Sequence, residues 1–365
     1  MSETAQPVSF PNDPDIRALL GLRGWPRLTE TQAALLPAVL GDRDLIGVAP
    51  TGTGKTAVIA LAARRALTRA GTVGLPRVLV VAPTRALCAQ LAHELTASLF
   101  DTPFRVLLAA HRPPLAGQIE ALDFGVDVVV ATPGRLLDLR RTGALQPGDL
   151  EVVAFDEVDD LMRSEDWPSL EDFLVAARRR VCVTATLPPH RAGDLAVALH
   201  RPEVRLVSPS CTPSPLVHED RTCFTRTRGE AASDLLARHV GQQALVFVNR
   251  VDACVGAVQD LRAAGVTASA VHGRASERWR RRAVADFTGG AIRVLVTTDL
   301  LGRGFDLPEL GLVINYDVPR SPTTFTHRLG RTARAGRPGY AYTLVTREQA
   351  AWWAGLQIHL DRQAA

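Results

Sequence analysis

Ala49-Pro50-Thr51-Gly52-Thr53-Gly54-Lys55-Thr56 is the stretch from which the fold can be read. It follows an apolar run, Leu45-Ile46-Gly47-Val48, and opens into an alanine-rich helical pattern from Ala57. Strand, glycine loop and helix in that order make a phosphate site. The glycines let the backbone turn tightly with its N–H groups facing inward, and the helix N-terminus adds the positive end of its dipole. Thr51, Gly52, Thr53 and Gly54 then form the cradle. Lys55 reaches the β- and γ-phosphates, and the Thr56 hydroxyl binds Mg²⁺. The first position of the pattern, ordinarily glycine, is Ala49. Of 42 basic residues 41 are arginine, and Lys55 is the one lysine. A compact ammonium is kept only where a point charge is wanted.

Around that stretch, 365 residues suggest about two domains, and 46% apolar with 22% charged residues reads as globular. No apolar run is long enough for a transmembrane helix, and Met1 to Asn12 lacks the pattern of a signal peptide. Cys88, Cys182, Cys211, Cys223 and Cys254 are scattered, with no C-x-x-C pair. That argues against a disulfide framework or zinc site and for a reducing, cytoplasmic setting. Charge is uneven: 22 basic and 24 acidic residues over 1–208 give −2, and 20 basic and 14 acidic over the remainder give +6. A basic second half suits a polyanion partner.

Residues 10–40 read as one or two helices. Apolar strand-like runs follow at Leu45–Val48, Val78–Val81, Val126–Val130, Val152–Phe155 and Arg180–Val183, with helical patterns between them, notably Ala57–Ala70 and Ala86–Phe100. Alternating buried strands and helices imply a mostly parallel, doubly wound sheet. Ser208-Pro209-Ser210-Cys211-Thr212-Pro213-Ser214-Pro215 breaks the pattern. The expected division is a first domain over 1–208, a linker over 209–217 and a second domain over 218–365. The pattern restarts with strands at Ala244–Val248, Thr267–Val271, Val294–Thr297, Leu312–Ile314 and Ala341–Val345, without a second phosphate loop. A short helix is expected after Thr346.

Phe155-Asp156-Glu157-Val158-Asp159 ends an apolar strand, where ligands gather in open parallel sheets. Asp156 is the expected Mg²⁺ partner of the phosphate loop, and Glu157 is placed to orient and deprotonate an attacking water.

Asp-Glu-Val-Asp about a hundred residues past the phosphate loop resembles superfamily 2 helicases, and most of all DEAD-box RNA helicases. The resemblance recurs in order along nearly the whole chain. Pro83-Thr84-Arg85-Ala86-Leu87 resembles motif Ia, Thr132-Pro133-Gly134-Arg135 motif Ib and Thr184-Ala185-Thr186 motif III. Leu245-Val246-Phe247-Val248-Asn249 resembles motif IV, Thr298 to Asp306 motif V, and His327 to Gly336 motif VI.

The resemblance implies two RecA-like domains and an ATP-dependent RNA helicase. It assigns Pro83, Thr84, Arg85, Thr132, Gly134, Arg135, Arg280 and Thr298 to the RNA backbone. Hydroxyls, bare backbone and guanidinium groups at strand ends bind phosphate and sugar without reading bases. Arg331 and Arg334, three apart and on one face if helical, become arginine fingers on the γ-phosphate. Gly304 and Asp306 resemble the residues beside the nucleotide, with Asp306 at the ribose. Asp159, Thr184, Thr186 and His327 resemble the residues that couple the domains, with Asp159 as partner of His327. Gln32 resembles the glutamine that reads the adenine edge, and Trp25 the aromatic stacked on the base. His272, Gly273, Glu277 and Arg280 resemble a further family stretch, with Glu277 where glutamine is usual, set among Arg274, Arg278, Trp279, Arg281 and Arg282.

Departures from the family pattern are Val158 in the acidic motif, Thr184 for serine, Arg250 after Asn249, and Leu28-Thr29-Glu30-Thr31 before Gln32, which lacks two prolines. His111-Arg112-Pro113-Pro114 stands where a Gly-Gly pair is usual. The expected protein is a monomer without membrane attachment, binding ATP, Mg²⁺ and single-stranded or duplex RNA regardless of sequence, and relying on protein partners for targeting. A DNA-directed superfamily 2 translocase and a catalytically weak RNA clamp are the two other functions that fit parts of the pattern.

Overall fold

Valine-rich runs become the strands of two parallel sheets. A computed structural model describes residues 13–25, 27–50, 52–69, 74–111, 113–199, 203–206, 216–222, 227–299, 310–332 and 339–364. The chain divides into two units, Met1–Ser210 and Cys211–Ala365. The stretch expected as a linker lies largely outside the described residues, but a strand already begins at Leu216, inside its expected end.

In the first unit, β1 (Leu45–Val48), β2 (Val78–Val81), β3 (Val106–Ala109), β4 (Val128–Ala131), β5 (Val152–Asp156), β6 (Arg179–Thr184) and β7 (Glu203–Leu206) form one sheet in the order β3-β4-β2-β5-β6-β1-β7. Every pairing is parallel. Its helices are α1 (Pro14–Arg23), α2 (Glu30–Leu40), α3 (Lys55–Thr68), α4 (Arg85–Ser98), α5 (Leu115–Asp123), α6 (Pro133–Arg141), α7 (Val158–Leu161), α8 (Trp167–Ala176) and α9 (Pro189–Ala198). Val78 and Val80 join an apolar cluster with Leu35, Leu36 and Val58, while Leu79 and Val81 join another with Phe155, Leu161 and Phe173. Both faces of the sheet are covered, so its strands read as continuous apolar runs instead of alternating ones.

The second unit repeats the plan. β8 (Leu216–Thr222), β9 (Ala244–Phe247), β10 (Ala268–Val271), β11 (Val294–Thr297), β12 (Leu312–Asn315) and β13 (Gly339–Val345) pair in the order β10-β11-β9-β12-β13-β8, again all parallel. Around them lie α10 (Arg228–Arg238), α11 (Ala253–Ala263), α12 (Glu277–Thr288), α13 (Pro322–Leu329) and the long terminal α14 (Ala350–Ala364).

Three strands outside the expected set, β3, β7 and β8, all lie at sheet edges. An edge strand is covered on fewer sides and tolerates charge. β7 carries Glu203 and Arg205, β8 carries His218, Glu219, Asp220 and Arg221, and β3 is apolar but mostly half-buried.

One buried ion pair sets the spacing beneath the phosphate loop. Asp44, just before β1, accepts from the Arg180 backbone N–H at 2.9 Å and from its guanidinium at 3.1 Å. The same guanidinium donates to Leu174 O and Val175 O at the end of α8, each at 2.6 Å. The start of β1, the start of β6 and the end of α8 are therefore held to one another.

Candidate active site

β1 leads into the phosphate loop and α3 carries the chain away, so the loop sits at the carboxyl end of the sheet. Gly52 and Gly54 have φ of 75° and 95°, in the left-handed region that favours glycine. Ala49 is not among the positive-φ residues, so its Cβ is compatible with the turn. Lys55 folds back over the loop and donates from Nζ to Ala49 O at 2.7 Å and Pro50 O at 2.9 Å. Thr53 Oγ1 donates to Pro50 O at 2.8 Å. No side chain caps the first turn of α3, which begins at Lys55 and Thr56. Its leading amides suit an anion. Thr51 lies outside the described residues.

Gln32 is brought to this loop. Its Oε1 accepts from Thr29 N at 2.9 Å, completing a capping box in which Thr29 Oγ1 accepts from Gln32 N at 3.2 Å. Its Nε2 donates to Gly54 O at 3.5 Å, and Thr29 Oγ1 donates to Thr53 O at 2.7 Å. Glycine is favoured at 54 by φ, and a Cβ there would stand 2.5 Å from Gln32 Nε2, so the amide would have to shift. Thr-x-x-Gln before an apolar helix is itself a capping-box signal, and it accounts for how the amide is held. Trp25 is half-buried against the first apolar cluster. The Arg23 guanidinium lies 5.3 Å from the centre of its ring and is paired with Glu94.

Asp156 ends β5, and its Oδ1 accepts from Glu157 N at 3.0 Å. Glu157 takes φ 52° and ψ 49°, a left-handed conformation uncommon for a residue with a Cβ. Such strain persists where surrounding structure imposes it, often at functional sites. The Asp156 carboxyl is pushed above the usual carboxylate range, first by burial and next by the neighbouring Glu157, with Lys55 acting in the opposite sense. Two successive buried carboxylates are oxygen donors of the kind that suits a hard divalent cation.

Asp159 joins these carboxylates to the end of β6. Its Oδ1 accepts from Thr184 Oγ1 at 2.5 Å, and its Oδ2 from Thr186 Oγ1 at 2.9 Å and Arg163 Nη2 at 3.1 Å. Ala49 N in turn donates to Thr184 O at 3.0 Å. One chain of contacts thus runs from the acidic turn through Thr184 to the start of the phosphate loop.

Among the expected nucleic-acid residues, Pro83, Thr84 and Arg85 stand half-buried at the start of α4, where Thr84 Oγ1 accepts from Leu87 N at 3.3 Å. Thr132, Pro133 and Gly134 open α6 without a side-chain cap. A cavity of about 280 Å³ lies there, lined by His111, Thr132, Gly134, Arg135, Asp138 and Arg141 among others. Arg135 is turned inward: its guanidinium donates to Gln118 Oε1 at 2.8 Å, His111 O at 3.1 Å and Pro113 O at 3.2 Å. It braces the proline-containing segment that stands in place of the usual glycine pair.

In the second unit the organising residue is one not assigned from sequence. Arg328, 1% exposed, donates to both Asp299 oxygens at 2.5 and 2.9 Å, to Asn249 Oδ1 at 2.7 Å, to Asp317 O at 2.8 Å and to Asn315 Oδ1 at 3.3 Å. The resemblances to motifs IV, V and VI meet on that one side chain. Thr298 is buried just after β11, His327 lies in the last turn of α13, and Arg280 is half-buried on α12. Arg331 is not helical, contrary to the condition under which it would share a face with Arg334. α13 ends at Leu329, and Thr332 pairs with Leu310 and donates from Oγ1 to its carbonyl at 2.6 Å. Gly304, Asp306 and Arg334 lie outside the described residues.

Residues 29–195 match the DEAD/DEAH box helicase family model, and residues 227–336 match the helicase conserved C-terminal domain. The ATP-dependent rRNA helicase RRP3 of Coccidioides immitis is 33% identical across 93% of this chain and 73% of its own length. The chain belongs to the DEAD-box ATP-dependent RNA helicases. The helicase thus has ATPase activity and two RecA-like domains. It is also similar to Escherichia coli DbpA, at 31% identity over 90% of this chain and 72% of that protein. In fold it matches S. cerevisiae Dbp5 bound to RNA and ADP BeF3, with a TM-score of 0.81, 22% identity and coverage of 95% and 91%. A DEAD box protein from Methanococcus jannaschii gives a TM-score of 0.59 at 26% identity, covering 96% of this chain and 95% of that one. No helix among the described residues is long and apolar enough to cross a membrane.

Proposed function

We infer that the helicase holds ATP on Thr51 to Thr56 and hydrolyses it at the acidic turn, using the energy to separate short RNA duplexes. The observation that carries this is the grouping, at the carboxyl ends of β1, β5 and β6, of a buried ammonium, two buried carboxylates and the Asp159–Thr184 link. Thr56 and Asp156 fit Mg²⁺, and the raised Asp156 carboxyl is the kind of group a cation returns to its ionised form. When bound, the ion supplies charge neutralisation across the β- and γ-phosphates. Glu157 orients and accepts a proton from the attacking water. Arg331 and Arg334 supply guanidinium charge to the γ-phosphate, a contribution worth about 10³–10⁵ in rate.

Gln32 and Trp25 receive the adenine, Gly304 and Asp306 the sugar side of the nucleotide. Thr84, Arg85, Thr132, Gly134, Thr298 and Arg280 hold the RNA backbone, with Pro83 shaping the turn before Thr84 and Arg135 supporting the neighbouring loop. Backbone contacts carry no base information, so the sequence of the RNA does not matter to this core. Thr186 and His327 belong with Asp159 and Thr184 to the coupling between hydrolysis and RNA. The helicase works as a cytoplasmic monomer, consistent with the free, buried thiols of Cys88, Cys182 and Cys254. Dbp5 has been solved with Gle1 and with Nup159; protein partners of that general kind would direct this chain to its RNA.

The test is steady-state ATP hydrolysis with RNA, with DNA of the same sequence and with neither, repeated for Glu157→Gln. Hydrolysis is expected to rise with RNA alone, and the variant to lose about 10²–10⁴ in turnover. Equal stimulation by DNA, or an unimpaired variant, contradicts the reading.

A further inference from the structure

The Asp159 side chain is 1% exposed. Thr184 and Thr186 supply it with neutral donors, and Arg163 forms an ion pair with it at 3.1 Å on the same oxygen as Thr186. A buried carboxylate held by hydroxyls alone is costly, because hydrogen bonds without countercharge do not replace lost hydration. Arg163 is well anchored for this task. Its Nη1 donates to Asp160 Oδ1 at 2.6 Å, so the guanidinium spans two successive carboxylates from just beyond α7. The Thr186 backbone N–H closes on Thr184 Oγ1 at 3.3 Å, which makes the turn after β6 depend on where Asp159 is held.

We propose that Arg163 is a positioning residue that fixes Asp159 against Thr184 and Thr186, and so sets how much strand separation each ATP hydrolysed produces. The proposal rests on the coupling role assigned above to Asp159, Thr184 and Thr186. Arg163 touches no substrate; it acts by stiffening the link between the acidic turn and the end of β6.

The test compares the unmodified helicase with Arg163→Ala, Arg163→Lys and the control Arg140→Ala. Arg140 makes a comparable partly exposed pair, with Asp172 at 2.8 Å, that involves neither Asp159 nor the turn after β6. Two quantities are read: RNA duplexes separated per ATP hydrolysed, and amide exchange over residues 184–187. With Arg163 42% exposed, the lower end of a charged hydrogen bond applies. Arg163→Ala is expected to lower duplexes per ATP by about fivefold and to speed exchange over 184–187 by a similar factor. Arg163→Lys recovers at least half of both, and Arg140→Ala changes neither. The proposal is overturned if Arg163→Ala leaves both quantities unchanged, or if Arg140→Ala lowers them equally. If the unmodified chain hydrolyses ATP without separating duplexes, the functional reading fails and this inference falls with it. Unchanged exchange in Arg163→Ala beside normal wild-type unwinding sinks the inference alone.

Discussion

Asp44→Ala should weaken the first unit more than any surface substitution. The Asp44 and Arg180 side chains are 4% and 3% exposed, and the pair is closed by one guanidinium contact and one backbone contact. Removing the carboxylate leaves a cation in the interior and an Arg180 N–H without its acceptor. Breaking a buried pair from one side costs about 3–5 kcal/mol. Here Leu174 O and Val175 O continue to accept from the guanidinium, so the lower end, about 3 kcal/mol, is expected. For a unit of this size that corresponds to a fall of about 6–12 °C in Tm. A two-unit chain need not unfold in one step, so the fitting assay is hydrogen exchange at the amides of β1 and β6 under native conditions. The double variant Asp44→Ala with Arg180→Met should recover much of the loss, because no charge is then stranded. A single variant whose β1 and β6 amides keep their protection to within about 1 kcal/mol would refute the reasoning.

Two further outcomes are expected. Gln32→Ala removes the capping box and the contact to Gly54 O, so it should raise the KM for ATP and cost about 0.5–2 kcal/mol of stability; nucleotide titration and thermal melting check both. His218 is held among Phe325 and Trp353, with Nε2 3.0 Å from Thr343 Oγ1, and burial lowers its pKa despite Asp220 at 3.7 Å and the nearby Glu219. The unfolded imidazole takes up its proton near ~6.5, before the folded one does, so stability of the second unit is present above that pH and lost as pH falls through it. His239 is shifted the same way. Denaturation at several pH values should therefore show a slope that His218→Gln flattens without abolishing; an equal slope in the variant would count against the assignment.

Much of the molecule is legible along the chain because parallel sheets leave an unusually direct trace. A strand buried on both faces reads as an apolar run, as Val78–Val81 and Val294 to Val296 do in sequence and in structure. β7 and β8 escape that rule for a physical reason: an edge strand is half in water, and its charges look like those of a loop. Gln32 illustrates a different limit. Its three-residue spacing from Thr29 carries two signals at once, a helix cap and a nucleotide contact, and the cap is formed.

Local chemistry, then, was written in consecutive residues. The glycines that permit the phosphate loop, the lysine that follows them and the paired carboxylates after a buried strand need only their neighbours in the chain to be recognised. What tertiary structure alone decided is which distant groups share a charge: Asp44 with Arg180, Asp159 with Thr184 and Thr186, Arg328 with Asp299 and Asn249. A buried polar atom takes its partner from whichever strand ends lie beside it. Those neighbours are set by the order of strands in the sheet, which crossover connections produce and no short stretch of sequence encodes.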